Sequence, residues 1–150
     1  MTVETSAPAQ TFTLKTPLLE HGGLNNVVAQ TDSLWIWVKV YAEGGENHLH
    51  AHTEEDHAFI ILDGEATFHD QDDNVIVRRK NEGILQPRGA FYWFTNTGDR
   101  PLVLLRVGAS TVAEHGPRRD DRIWPEGIVP TFERLGKPVE IPGKFFGDEA

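Results

Sequence analysis

The chain has 150 residues, a formal net charge of −9 at pH 7 and a pI near 5.2. This length suits one domain with a hydrophobic core that needs no disulfide bonds, and the sequence contains no cysteine. The acidic balance argues against a nucleic-acid partner, and no apolar run approaches the roughly 18 residues of a membrane span. We therefore expect a cytoplasmic protein that binds neither nucleic acid nor membrane.

The first residues have little to bury. Residues 1–10 are small and polar and are predicted to form a loose arm. A short strand at Thr11–Leu14 and a second at Leu24–Ala29 are predicted to begin a β-barrel domain that spans residues 11–112.

The run from Ser33 to Tyr41 is rich in β-branched and aromatic residues, which predicts a strand buried on both faces. Trp35 and Trp37 share one of these faces, where they either line a ligand cavity or form plain core or a dimer contact. Lys39, on the same face, either reaches the rim or lies in a cavity near a carboxylate.

Four histidines follow within ten residues, at positions 48, 50, 52 and 57. His50 and His52 lie two residues apart, so both imidazoles leave the same face of a strand. A hairpin between His52 and His57 would bring the third imidazole beside the first two. His57 opens the apolar strand Ala58–Leu62, which ends at a turn signal.

Three converging imidazoles are typical of a transition-metal site. We expect one divalent metal per chain on His50, His52 and His57, with iron first and zinc, nickel, manganese or copper as alternatives. His48 is a neighbour of this site or a fourth ligand. The alternative is a solvated, histidine-rich turn.

A second set of candidate site residues lies on a later predicted strand. Tyr92, Phe94 and Asn96 alternate onto one face of that strand. Tyr92 is interpreted as a metal ligand, as an acid or base toward a substrate, or as a structural residue that closes the site. The sequence leaves these three roles open.

Strands are also predicted at Glu65–His69, Val75–Arg79 and Leu102–Val107. Some eight strands with short turns, and no convincing amphipathic helix before residue 110, indicate an all-β, antiparallel sandwich or barrel. Residues 113–150 contain scattered apolar residues between Pro and Gly and are predicted to wrap over the barrel or a partner subunit.

The spacing resembles that of the cupins from about Trp35 to Val107. Gly44, five residues, His50-Ala51-His52, four residues, His57, six residues and Gly64 follow the first cupin motif, with His57 where the family has a glutamate ligand.

The second cupin motif is matched by Pro87-Arg88-Gly89, Tyr92 and Asn96, with Tyr92 in place of the family's histidine ligand. The resemblance implies a jelly-roll β-barrel, a metal site and a homodimer.

Such a site supports three classes of function. The first is a mononuclear non-haem iron dioxygenase with Tyr92 and His48 as catalytic residues, acting on an apolar, aromatic or diketone-like small molecule. The second is a non-redox, zinc-type cyclase, isomerase or lyase, and the third is a binding module without turnover. The predicted substrate pocket consists of Trp35, Trp37, Phe59 and Phe94.

Overall fold

The chain is built almost entirely of β-strands in the computed structural model, which describes residues 7–110, 120–127 and 136–148. The first six strands are β1 (Thr16–His21), β2 (Gly23–Gln30), β3 (Leu34–Tyr41), β4 (Gly45–His52), β5 (Glu55–Asp63) and β6 (Glu65–Asp70). The others are β7 (Val75–Arg79), β8 (Gly83–Gln86), β9 (Tyr92–Asn96), β10 (Leu102–Ser110), β11 (Arg122–Ile123) and β12 (Val139–Phe146), with one 3₁₀ turn at Pro125–Gly127. The predicted all-β jelly roll is confirmed.

Two five-stranded antiparallel sheets face each other. The first has the strand order β2-β3-β10-β5-β8, and the second has the order β11-β4-β9-β6-β7. A two-stranded ribbon of β1 and β12 accompanies them. No helix within the described ranges is long and apolar enough to cross a membrane.

The space between the sheets is apolar at one end and polar at the other. Phe59 and Ile61 from β5 pack there against Phe68 of β6 and Phe94 of β9, and all four side chains are fully buried. Two residues before Phe59 on the same strand comes His57, because side chains two apart share a face. The same alternation puts Lys39 two residues before Tyr41 on β3 and Arg106 two residues after Leu104 on β10. Because the two strands are antiparallel, both charged residues lie toward the same end of the sheet. The strands thus change from core to polar site along their length.

A second apolar cluster lies on the other face of β3. Val38 and Val40 pack there with Leu19 of β1 and Val103 of β10, and Phe146 of β12 contacts the same cluster. From Val38 to Tyr41, β3 is therefore buried on both faces, as the composition of this stretch predicts, whereas Leu34 at its start is exposed.

Three details of the predicted strand pattern are wrong. Residues Thr11–Leu14 form no strand, since β1 begins at Thr16, where pairing with β12 starts. Ten strands, β1 to β10, lie in the stretch up to Ser110 for which about eight are predicted, and two more follow in the described parts of the tail. No hairpin joins His52 to His57, because β4 pairs with β9 and β11 whereas β5 pairs with β10 and β8. The chain crosses from one sheet to the other at Thr53-Glu54.

The ends of the chain are described in part. Residues 1–6 of the predicted arm lie outside the described residues, as do 111–119, 128–135 and 149–150. In the parts of the predicted tail that are described, β11 pairs with β4 and β12 pairs with β1. The division into arm, barrel and tail stays a prediction.

A substitution at Gly108 tests the close contact between β10 and β3. A Cβ atom at Gly108 would overlap the indole ring of Trp35, which is fully buried. We expect Gly108→Ala to lower the free energy of unfolding by about 1–3 kcal/mol, because an overpacked site must shift its neighbours. Urea denaturation measures this loss.

Gly136→Ala is the matched control. Its new methyl group would meet only the Cα of Gly22, at an ordinary 3.7 Å. A Gly108→Ala protein as stable as this control would contradict the close packing.

Candidate metal centre

Three histidines from the two facing sheets converge at the polar end of the sandwich. His50 and His52 lie on β4 with ring centroids 5.3 Å apart, and the ring of His57 on β5 lies 4.0 Å from that of His52. All three residues are buried. The jelly roll thus brings them together across its interior rather than along a hairpin.

Glu55 completes the group whose donor atoms lie closest together. One donor atom from each of His52, Glu55 and His57 lies within 4.8 Å of the other two. The Oε2 atom of Glu55 is 2.7 Å from Nε2 of His57 and 3.6 Å from Nδ1 of His52. Two imidazoles and a carboxylate suit a divalent metal, so the residues present fit the ion that the sequence predicts.

His50 lies beside this group rather than in it. The nearest donor set therefore differs from the three neutral imidazoles expected from the sequence. A carboxylate ligand would lower the net charge of the site by one relative to that set.

Hydrogen bonds orient two of the imidazoles. Nδ1 of His52 lies 2.6 Å from Oδ1 of Asp121, and Nδ1 of His50 lies 2.6 Å from the backbone carbonyl of His48. Acceptors of this kind hold the proton on Nδ1 and leave Nε2 as the basic nitrogen, a common arrangement around metal-binding histidines. Asp121 reaches His52 because β11 pairs with the end of β4.

Burial and charge control the protonation of the donors. Burial, followed by the positive charge of Arg106, lowers the pKa of His57 far below its ordinary value. The imidazole therefore stays neutral, as a metal ligand must. Burial and the neighbouring charge of Asp121 raise the pKa of Glu55 to about 7, so metal binding at neutral pH must displace a proton from part of the population.

Tyr92 lies against the histidines without a short hydrogen bond to them. Its hydroxyl oxygen is 3.4 Å from Nε2 of His52, and its ring centroid is 4.5 Å from that of His50. Burial, followed by the negative charge of Glu46, raises the pKa of Tyr92 well above its ordinary value. In the metal-free protein the side chain is thus a neutral phenol that can act as a hydrogen-bond donor.

Basic residues form the opposite wall of the site. Lys39 Nζ lies 2.9 Å from Oε1 of Glu46, and Arg106 Nη1 lies 3.7 Å from the same oxygen. Arg106 Nη2 is also 3.1 Å from both ring nitrogens of His57. Burial lowers the pKa of Lys39 to about 8 although Glu46 opposes this change. Burial alone would raise the pKa of Glu46, but Lys39 and Arg106 together hold it well below its ordinary value.

A cavity of about 310 Å³ opens between these groups. Most of its lining residues are ionisable; the full set is Asn25, Trp35, Trp37, Lys39, Glu46, His52, Glu55, Arg106, Asp120, Asp121 and Arg122. Trp35 and Trp37 lie in the cavity wall, as predicted for the substrate pocket. Phe59 and Phe94 do not, because they belong to the apolar core at the other end of the sandwich. The expected apolar pocket is therefore a polar one.

His48 contributes its backbone rather than its imidazole to the contacts described above. The pairing of β4 with β9 shifts register between Glu46 and His50, so strict alternation is interrupted at His48. Its side chain does not line the cavity.

The second sequence motif shapes the site indirectly. Gly89 adopts a φ of 82° in the turn before β9, and its N–H donates to the carbonyl oxygen of His52. The side chain of Asn96 donates to the carbonyls of Tyr41, Ala42 and Arg100. The glycine thus fixes the end of β4, and the asparagine joins the β3–β4 and β9–β10 connections.

Three residues of the site, Glu55, Arg106 and Asp121, are not among those predicted from the sequence. Glu55 precedes His57 by two residues and therefore shares its strand face, a signal obscured by the neighbouring acidic residues. Arg106 interrupts an apolar strand, which is a recognisable sign of a buried charge. Asp121 gave no comparable signal, since only the folded chain brings it to His52.

Residues 37–108 match the family model of the cupin domain. This match and the fold of the solved structures described below support the cupin superfamily. No curated protein matches the sequence significantly.

Solved structures share this fold. A conserved protein with a double-stranded β-helix domain from Klebsiella pneumoniae is 22% identical, with a TM-score of 0.54 over 61% of this chain and 79% of that one. A cupin superfamily protein from Desulfitobacterium hafniense is 23% identical, with a TM-score of 0.51 over 59% and 77%. A protein from Bacillus halodurans is 24% identical, with a TM-score of 0.54 over 61% and 74%. At these identities the likeness concerns the fold alone.

Substitutions at Glu55 and His50 distinguish the two donor sets. We expect Glu55→Gln to weaken metal binding at least about tenfold, because a neutral amide replaces the anionic donor. His50→Ala should retain the metal. Titration of the chelator-treated protein with Fe²⁺ and Zn²⁺, followed by elemental analysis, measures both effects.

His69→Ala controls for the loss of an imidazole, since His69 stacks on Trp93 and belongs to neither donor set. Loss of metal in His50→Ala with full binding in Glu55→Gln would restore the three-imidazole set.

Proposed function

We propose that this chain is a mononuclear metal enzyme of the cupin class, and specifically an iron-dependent dioxygenase. The observation that carries the proposal is the convergence of His52, Glu55 and His57 beside a buried cavity. Two histidines and one carboxylate, with further positions open, are the typical ligands of non-haem Fe(II) oxygenases. Bound iron would relay electrons to O₂ from a small-molecule substrate, which is the net reductant and would receive both oxygen atoms.

The chain's own residues have separate roles in this proposal. Asp121 fixes the imidazole of His52, and burial together with the charge of Arg106 lowers the pKa of His57 so that it stays neutral. Trp35 and Trp37 limit the size of the cavity and restrict access of water. Tyr92, as a neutral phenol next to His52, can donate a hydrogen bond to an oxygen of the bound substrate.

A non-redox isomerase or lyase is the second candidate. The specific observation in its favour is Lys39 on the cavity wall, because burial lowers its pKa to about 8 and it can therefore exchange a proton near neutral pH. Two histidines and a glutamate also bind catalytic zinc, which polarises a substrate without redox chemistry.

Oxygen dependence separates the two candidates. We expect the protein to carry iron when purified without chelators and to consume O₂ with at least one member of a panel of hydroxy acids, oxo acids and 1,3-diketones. His57→Ala should abolish this uptake because it removes a donor. An oxygen electrode and product analysis by mass spectrometry provide the measurement.

His69→Ala should behave as the wild type. Equal product formation under nitrogen, with zinc as effective as iron, would contradict the dioxygenase and support the second candidate. Ligand binding without turnover under either atmosphere would contradict both. A homodimer remains part of the proposal on the basis of the cupin resemblance, and light scattering tests it.

A further inference from the structure

Three buried polar atoms on the cavity wall lack a hydrogen-bond partner among the described residues. They are Nε1 of Trp37, Nε of Arg106 and Oε2 of Glu46, and all three residues line the same cavity. The nearest donors to Glu46 on this side are Nε2 of His50, 3.6 Å from Oε2, and the hydroxyl of Tyr92. A buried polar atom without a partner costs about 1–3 kcal/mol, so native structures rarely leave several together. Their clustering indicates that a ligand satisfies them.

The three atoms differ in what they can accept or donate. The indole N–H of Trp37 and the guanidinium N–H of Arg106 are donors only, whereas the carboxylate oxygen of Glu46, with Lys39 and Arg106 beside it, is an acceptor. A matching ligand therefore presents acceptor atoms to the first two and a donor to the third.

The charge of this corner favours an anion. Lys39 and Arg106 share the single carboxylate of Glu46, which leaves one positive charge in excess. Arg122 pairs with Asp120 at 2.6 Å, and the carboxylates of Asp121 and Glu55 lie beside the imidazoles of His52 and His57 rather than at this corner. A buried excess charge is costly unless an opposite charge comes to it.

The donors are held in place by the sheet. Arg106 on β10 pairs directly with Trp37 on β3, and its guanidinium carbon lies 5.3 Å from the centroid of the indole ring. Lys39 follows two residues later on the same face of β3. The two donor side chains are therefore neighbours by register, and both residues are half-buried.

We propose that this cavity binds a small hydroxylated carboxylic acid, whose carboxylate accepts hydrogen bonds from Arg106 and Trp37 and whose hydroxyl donates to Glu46. A volume of about 310 Å³ is at the small end of ligand cavities, which favours a short acid over an extended one. This assignment names the substrate class of the proposed enzyme and rests on that function. It differs from the apolar substrate that the sequence favours.

Calorimetric titration of the full-length wild type with matched probes tests the assignment. The probes are lactate and malate, their neutral amides, and the hydroxyl-free acids propionate and succinate. We expect at least one hydroxy acid to bind about tenfold more tightly than its amide and more tightly than its hydroxyl-free counterpart, since each comparison removes one complementary group. Equal affinity for acid and amide, or no binding of either hydroxy acid, would contradict the proposal.

Three substitutions then test the residues. Arg106→Lys and Trp37→Phe should each weaken binding of the hydroxy acid about tenfold, because they remove one N–H donor and keep the charge or the ring. Glu46→Met should abolish the preference for the hydroxyl group, because it removes both acceptor oxygens and keeps the length of the side chain. Arg100→Lys and Trp93→Phe are matched controls away from the cavity and should bind as the wild type does.

Circular dichroism shows whether each variant folds. If a variant does not fold, the comparison of acids, amides and hydroxyl-free acids on the wild type still tests the proposed ligand. Unchanged affinity in folded Arg106→Lys and Trp37→Phe would overturn the site. Elemental analysis of the same samples separates the two proposals. Binding of the acid without bound metal would contradict the metal enzyme alone, whereas bound metal with no preference for the acids would contradict the acid site alone.

Discussion

The contact between His52 on β4 and His57 on β5 is the feature on which the rest of the site depends. These residues belong to different sheets, and their rings lie 4.0 Å apart only because an apolar core holds the sheets together. Phe59, the next inward residue after His57, is part of that core. The stability of the sandwich and the geometry of the donor group thus share one cause, the packing of alternate side chains between the sheets.

Charge balance is the second constraint on this end of the molecule. The cavity wall contains three cations and four carboxylates, and most are arranged as close pairs. Paired charges tolerate burial. Carboxylates outnumber cations along the whole wall, but the sharing of Glu46 between Lys39 and Arg106 leaves a local positive excess at that corner. A metal held by Glu55 would add further positive charge. An anionic substrate would offset the local positive charge at Glu46 and that of the bound metal. The proposed metal centre and the proposed acid site would therefore favour the same kind of ligand.

Much of this arrangement could be predicted from the sequence. The alternation of Trp35, Trp37 and Lys39 on one face of a strand, and the pair His50 and His52, followed from the period of two along a strand. The topology was harder, because local patterns do not show which sheet a strand joins. A hairpin between His52 and His57 was therefore a reasonable but wrong prediction. Asp121 lay beyond prediction for the same reason, since it is 69 residues from His52 along the chain.

The central claim is that His52, Glu55 and His57 hold the metal. A crystal structure of the iron-loaded protein, with anomalous diffraction collected at the iron edge, tests it most directly. The account predicts one strong anomalous peak in contact with donor atoms of these three residues. A peak bound by His50 and His52 without Glu55, or one located elsewhere in the molecule, would contradict it.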